Sequence, residues 1–533
     1  MKKGFHLIVI LFVLAATAIS CTDKFEDYNS DQTAPTELGV TESRIGSYFP
    51  QVTQLLLAQH PSVGMDWPYQ VFQNLHADIY SGYMMTSNTF GNQNNPTYSM
   101  NSGWNSWLWN VTYRNMIPAQ KKAYDYCGDQ FLNFKGALGI MKVLAISRVS
   151  DVYGPCIYKY LGSEEKPGYY DSVKDLYGYF FTDLDNSIAD LKKYLQAPTS
   201  NTKFPKFDQL FEGDVNKWIK FANSLKLRFA MRIVKVDPTL AKQKAEEAIA
   251  GGLMTDFVCQ ITSAAGTSSW SNPINVVSQG WGDTGMSAVM ESILSGYKDP
   301  RLPVLFTKTT DDLYAAAGKE YMGIRQGVKI AKGQYSKYSR VNIAKNAPGL
   351  LMTNAEVYFL LAEASLRGWN TKTTAQEAYV NGVQASFAQY NLSNSVSSYL
   401  QSDLLPVAYT DYHNSENNVA AGSQYLNNVS PKWDDAATNE IKLQKIITQK
   451  WIAGFPEGIN AWAEQRRTGY PKLFPVVVNE SSGVIKSEDF IRRIPFLVSE
   501  PLENRNFQSA LTALGGADNG ATRIWWDVNK PNF

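Results

Sequence analysis

Residues 353–390 constrain the fold more than any other stretch, because they read as two complete helices joined by a short turn. In TNAEVYFLLAEASLRGW, residues 353–369, Thr353 and Glu356 have the spacing of a capping box and Gly368 supplies the C-terminal stop. Leu351, Ala355, Tyr358 and Ala362 share one helical stripe, and Glu363 with Arg367 makes a favourable i,i+4 pair. TTAQEAYVNGVQASFAQY gives the second helix. Another pair follows in NEIKLQKIITQKWIAGF and GINAWAEQRRTGYP, parted by a short Gly-Phe-Pro connector. The small residues Ala362, Ala364, Ala378 and Ala385 let paired helices approach closely. The pattern suggests tetratricopeptide-like hairpins, although no strict repeat of about 34 residues runs through the chain.

Helices are also predicted upstream. SVKDLYGYFFTDLDNSIADLKKYL puts Tyr177, Phe181, Leu184, Ile188 and Leu191 on one stripe, with Ser172 and Asp175 as its N-terminal cap. DVNKWIKFANSLKLRFAMRIVKV puts Trp218, Ala222, Leu225 and Phe229 on one face and ends before Pro238. TLAKQKAEEAIAGG is a short helix closed by Gly251 and Gly252. Between about 254 and 350 helical periodicity is weak, and Gly, Ser, Asn and aromatic residues accumulate, as in functional surface loops.

The N-terminus reads as an export signal. Lys2 and Lys3 precede an apolar run from Leu7 to Ala16, then Ala18-Ile19-Ser20, then Cys21. A cysteine directly after the small residues points to a lipoprotein, with 1–20 removed and Cys21 lipidated. The apolar run is shorter than the roughly 20 residues of a spanning helix. Residues 21–45, which begin with the polar, acidic TDKFEDYNSD after Cys21, read as a tether, and 46–533 as one domain. The remaining cysteines, Cys127, Cys156 and Cys259, make no disulfide framework, though one bridge is open to them. The chain is 44% hydrophobic with a net charge of +1, so bulk charge points to no nucleic-acid partner. It has 30 Tyr and 13 Trp but 4 His, a balance that leans toward sugar or peptide surfaces rather than metal chemistry.

Several segments, in order, resemble the SusD/RagB family of Bacteroidetes outer-membrane lipoproteins, and its SusD-like 2 branch in particular. Besides Cys21 and its acidic sequel they are SRVSDVYGPCIY (147–158), YYDSVKDLYGYFFTDLDNSIADL (169–191), WIKFANSLKLRFAMRI (218–233), KDPRL (298–302), NAEVYFLLAEASLRGW (354–369), ITQKWIAGFPEGINAWAEQRRTGYP (447–471), RRIPFLVSEPLENRNF (492–507) and RIWWD (523–527). The resemblance implies a mostly α fold, with four tetratricopeptide-like helix pairs supporting a loop-rich ligand half. It also implies a place on the outer membrane, facing the cell surface, as the lid of a SusC-like TonB-dependent transporter that imports a nutrient, most often a glycan. The acidic residues after Cys21 resemble a surface-export signal of such lipoproteins.

The sequence carries no P-loop, nucleophile elbow, zincin His pair or calcium-loop pattern. No catalytic residue, metal or cofactor is expected. After signal removal only His60, His76 and His413 remain. Asp183 and Asp185 read as the polar face of a helix, and Arg466 and Arg467 as ligands of carbonyls and carboxylates at a helix end. A sugar ring offers an apolar face rimmed by hydroxyls, so exposed Trp and Tyr beside amides suit it. Loop clusters at 65–96, 98–113 and 268–283 supply the candidates Trp67, Tyr69, Tyr83, Trp104, Trp270 and Trp281, with Trp107 as a further exposed ring. Trp109, Tyr113 and Ile117 read as helical core. Two alternatives stay open: a lipid-anchored glycan hydrolase, and the same lid role with peptide cargo.

Overall fold

The computed structural model describes residues 39–88, 90, 95–263, 270–331 and 333–533. Cys21, the signal segment and most of the tether lie outside the described residues. The frame is built from α1 (Leu132–Tyr153), α2 (Val173–Gln196), α3 (Val215–Ile233), α4 (Pro238–Ala250), α5 (Asn354–Leu366), α6 (Ala375–Gln389), α7 (Asn439–Gly454) and α8 (Gly458–Thr468). They pack as successive pairs, α1 on α2, α3 on α4, α5 on α6 and α7 on α8. Neighbouring pairs stack in turn: α3 lies against α1, α2 and α5, α5 against α7, and α8 against α1. The fold is mostly α, a stack of tetratricopeptide-like hairpins.

The local signals behave as the sequence predicts at most helix starts. Ser172 Oγ accepts the Asp175 N–H at 3.1 Å and opens α2, whose predicted stripe is buried throughout. Asp214 accepts the N–H groups of Asn216 and Lys217 and opens α3. Trp218, Ala222, Leu225 and Phe229 of α3 are all buried, and the Trp218 ring meets Phe211 edge-on at 5.0 Å. Between α5 and α6 the backbones come close enough that a Cβ at Gly382 would sit 2.7 Å from the Phe359 ring. Ala362, Ala364 and Ala378 are fully buried at the same seam.

Glu356 departs from the expectation. Thr353 does cap α5, accepting the Glu356 N–H at 3.0 Å, but the Glu356 carboxylate turns inward instead of back to the cap. It takes Arg228 bidentately at 2.8 and 2.7 Å and Asn460 at 3.1 Å. The complete capping box stands one helix later, where Thr374 and Glu377 exchange bonds of 3.1 and 2.9 Å at the start of α6.

The Glu356–Arg228 pair belongs to a buried ionic web that ties the hairpins together. Arg232 of α3 reaches Asp151 of α1 at 2.9 Å and Glu464 of α8 at 3.3 Å. Lys450 of α7 holds Glu464 at 2.9 Å. Arg467 of α8 binds Glu363 of α5 at 2.7 Å through both forks and Glu464 at 2.8 Å. Arg367 completes its predicted pair with Glu363 at 2.7 Å. Arg466 donates to the carbonyls of Trp462, Arg492 and Asp151, so both arginines do what the sequence predicts. Opposed cations hold Glu363 down at about 2 despite its burial. Such pairs are costly to desolvate, and removing one partner is costlier than removing both.

The stretch 254–350 is less irregular than its composition suggests. It holds much of two small antiparallel sheets and a buried helix at Ala288–Tyr297. Strand β1 (Met84–Thr86) pairs with β3 (Thr284–Met286), and β2 (Cys259–Ile261) with β4 (Gly349–Met352). The sheets pin this stretch to α5 on one side and to residues 84–86 on the other. Cys127, Cys156 and Cys259 are free, buried thiols, and burial pushes all three thiol pKa values up. Among the described residues no helix is long and apolar enough to cross a membrane.

Candidate functional site

Among the described residues, three helical segments widen from the α pattern into π turns, with hydrogen bonds closing over five residues instead of four: Gln70–Asp78, Val111–Met116 and Asn275–Gly280. Each carries an exposed or half-exposed tryptophan at or near one end. Trp67 opens the helical segment that leads into the first. Trp107 opens the one that leads into the second, and Trp281 follows the third directly. Wide turns of this kind recur at functional sites.

Trp67 is 43% exposed and Trp281 45%. Trp67 meets Trp107 edge-on, with centroids 4.7 Å apart and planes at 76°. Trp104, half-buried, meets Phe90 edge-on at 5.4 Å. Asp66, at φ +69°, turns the chain into the Trp67 helix and is fixed there by Gln59, which gives and takes bonds of 3.0 and 2.7 Å.

The Trp281 turn is held from below. The Trp281 N–H donates to Val276 O at 2.8 Å. Gly282, at φ +72°, offers its carbonyl to Ser87 and Tyr338, each at 2.6 Å. Arg340 donates to Gln279 O at 3.1 Å. The next residue, Asp283, accepts from Gln70 at 2.9 Å and from Asn88. Gln70 stands one turn beyond Trp67, so this bond ties the Trp67 segment to the Trp281 turn. Exposed indoles, amides, a carboxylate and a guanidinium are thereby gathered together, the chemistry that suits an apolar sugar face rimmed by hydroxyls.

The other candidate rings are core, against the sequence expectation of exposure. Tyr69 is buried, and its hydroxyl donates to Asp78 at 3.1 Å. Asp78 also takes Gln73 and Asn74, and burial pushes its carboxyl up to about 6. Tyr83 is fully buried against Trp451 and Phe455, with its hydroxyl on Trp451 O at 2.6 Å. Trp270 is buried over Gly349 and donates to Ala347 O at 2.8 Å. Asn272 is likewise structural, bridging the Lys345 and Pro348 carbonyls. In each case the polar tip finds an acceptor, which lets a large ring serve as packing. Trp109 and Ile117 are buried as predicted, with Trp109 stacked on Tyr170. The sequence reading missed Gln70, Asn88, Asp283 and Arg340. Asp283 alone carried a signal, as the polar residue closing the Gly-Trp-Gly turn.

Residues 27–527 match the family model described as SusD-like, Susd and RagB outer membrane lipoprotein. The chain belongs to the SusD/RagB family. No curated protein matches it. Among solved structures, a chitin-binding SusD homologue from Flavobacterium johnsoniae is 41% identical, with a TM-score of 0.85 over 92% of this chain and 100% of that one. A SusD homologue from Bacteroides vulgatus is 38% identical, with a TM-score of 0.86 over 92% and 99%. One from Bacteroides uniformis is 32% identical, with a TM-score of 0.81 over 91% and 99%. The SusD-like match therefore spans both the hairpin frame and the segments that carry the exposed tryptophans.

Proposed function

We propose that this SusD-like chain is a lipoprotein of the outer cell surface that binds an oligosaccharide without cleaving it and passes it to a SusC-like TonB-dependent transporter. One observation carries the reading: the Gln70–Asp283 bond joins the segments that carry the exposed Trp67 and Trp281, and Trp107 meets Trp67 edge-on. Stacking on such rings gives affinity, and the surrounding amides select hydroxyl patterns. Chitin oligosaccharides are the first ligands to test, because the 41% identical homologue is a chitin-binding protein. Residues 1–20 act as the signal, Cys21 carries the lipid, and residues 21–45 link it to the body.

The test is calorimetry of the mature body, without its lipid, against a panel of oligosaccharides and peptides, with Trp281→Ala alongside. Binding to a saccharide, weakened tenfold or more in the variant at an unchanged melting temperature, supports the reading. Binding to peptides alone replaces the cargo. New reducing ends released from a bound glycan would establish a hydrolase instead. In cells, Cys21→Ser is expected to free the protein from the membrane when the transporter is deleted, and the parent is expected to co-purify with a large β-barrel in mild detergent.

A further inference from the structure

A cleft of about 550 Å³ opens where the C-terminal ends of α3 and α8 meet the last residues of the chain. Its lining shares no residue with the aromatic face. Six cations border it, Lys235, Arg466, Arg467, Arg492, Arg523 and Lys530, against the carboxylates of Glu440 and Glu488.

The cations are unequally matched. Arg467 is neutralised by Glu363 and Glu464, and Arg523 by Asp527. Lys235 donates to the Arg467 carbonyl at 2.9 Å and to Asn532 at 3.3 Å, both neutral. Arg466 lies between the Trp462 and Trp526 rings, 4.0 and 4.9 Å from their centroids, and its bonds go to backbone carbonyls. Arg492 reaches Asp527 at 3.7 Å, on the same oxygen that Arg523 holds more closely. Lys530, on the exposed tail, reaches the Lys235 carbonyl at 3.5 Å. Glu440 is already occupied by Tyr470 and Asn532. Burial and neighbouring cations bring Lys235 down to about 8 and Arg466 to about 9. Lys235, Arg466, Arg492 and Lys530 thus outnumber the two lining carboxylates, Glu440 and Glu488, and the partly buried cleft carries an excess of positive charge.

We propose that this cleft is a second binding site, for a multivalent oxyanion of the phosphate or sulfate-ester class. Lys235, Arg492 and Lys530, which border the cleft from three chain segments, suit a tetrahedral oxyanion, and the volume lies in the range of small-ligand sites, roughly 300–1,000 Å³. The same chemistry is offered by a free phosphorylated or sulfated ligand and by a phosphorylated lipid headgroup.

The probe is inorganic pyrophosphate, titrated calorimetrically into the mature body at low salt. Saturable binding is expected, weakened tenfold or more by Lys530→Glu and by Lys235→Met, with oligosaccharide binding at the aromatic face unchanged. Lys530 is exposed, so its variant decides the matter if Lys235→Met fails to fold. No saturable binding of pyrophosphate or inorganic sulfate, or equal affinity in both variants, overturns the proposal. A parallel arm uses phosphatidic acid vesicles against phosphatidylcholine vesicles. Retention on the former that Lys530→Glu abolishes identifies a lipid headgroup as the source, and calorimetric binding without retention identifies a free oxyanion.

Discussion

The side-chain amide of Gln70 donates to the carboxylate of Asp283 at 2.9 Å, across 213 positions of sequence. That bond connects the helix led by Trp67 to the turn that presents Trp281. Asp283→Ala removes the acceptor shared by Gln70 and Asn88 and leaves both indoles in place. We expect oligosaccharide affinity to fall about tenfold, equivalent to about 1.4 kcal/mol, because stacking on two rings requires a fixed separation. The melting temperature should move little. An unchanged dissociation constant would show that the two segments hold their positions without the link.

The Trp218 indole donates to the buried Asp208 carboxylate at 2.8 Å, which also takes the N–H groups of Leu210, Phe211 and Gly213. Trp218→Ala both opens a cavity and strips a donor from a buried acid. A loss of roughly 3–5 kcal/mol is expected in denaturant unfolding. Trp218→Phe keeps most of the bulk and should cost roughly 1–3 kcal/mol, the share of the lost hydrogen bond. Equal losses in the two variants would place the whole effect in the donor.

Arg467 is fully buried between Glu363 and Glu464. Arg467→Met fills much of the volume and leaves Glu363 to Arg367 alone and Glu464 to Arg232 and Lys450. The expected loss is roughly 3–5 kcal/mol, from uncompensated buried charge. A variant as stable as the parent in urea unfolding would mean that the web tolerates the vacancy.

Burial pushes the Glu291 carboxyl from its ordinary 4.5 up to about 8, although it accepts the Gly323 N–H at 2.7 Å. The folded chain keeps a proton that the unfolded chain releases. The favourable contribution of the neutral group is therefore complete below about pH 4.5 and is lost as pH rises through about 8. Glu291→Gln retains an acceptor for Gly323. It should match the parent near pH 4 and exceed it near pH 9, by on the order of a few kcal/mol. A stability difference that does not vary with pH would refute the assignment.

The helical frame was legible because its signals are local. Ser172 and Thr353 are caps in sequence and in structure, and the stripes of α2 and α3 repeat at the helical period. Glu356 misled because a capping box and an interhelical ion pair ask for the same residue type, and only the arrival of Arg228 from 128 positions away decides between them. Thr374 and Glu377 carried the same box signature and kept it. The site was harder to read for a different reason. Tyr69, Tyr83 and Trp270 sit among amides and glycines as exposed rings do, yet each hides its polar tip on an acceptor supplied by a distant segment or a later turn. Trp67 and Trp281 stand out only once the folded neighbours are known. A search at the period of the α-helix also passes over π turns, where successive bonds enclose an extra residue.

Those turns carry a consequence for how such chains diversify. A π turn is a helix that has absorbed one more residue per hydrogen-bonded ring without breaking its continuity. On the tryptophan-bearing face, the length of chain between buried anchors can therefore change by single residues while the hairpins, fixed by their own ions and caps, stay in register. A single residue gained or lost there would change the spacing of the aromatic rings while leaving the hairpin frame as it is.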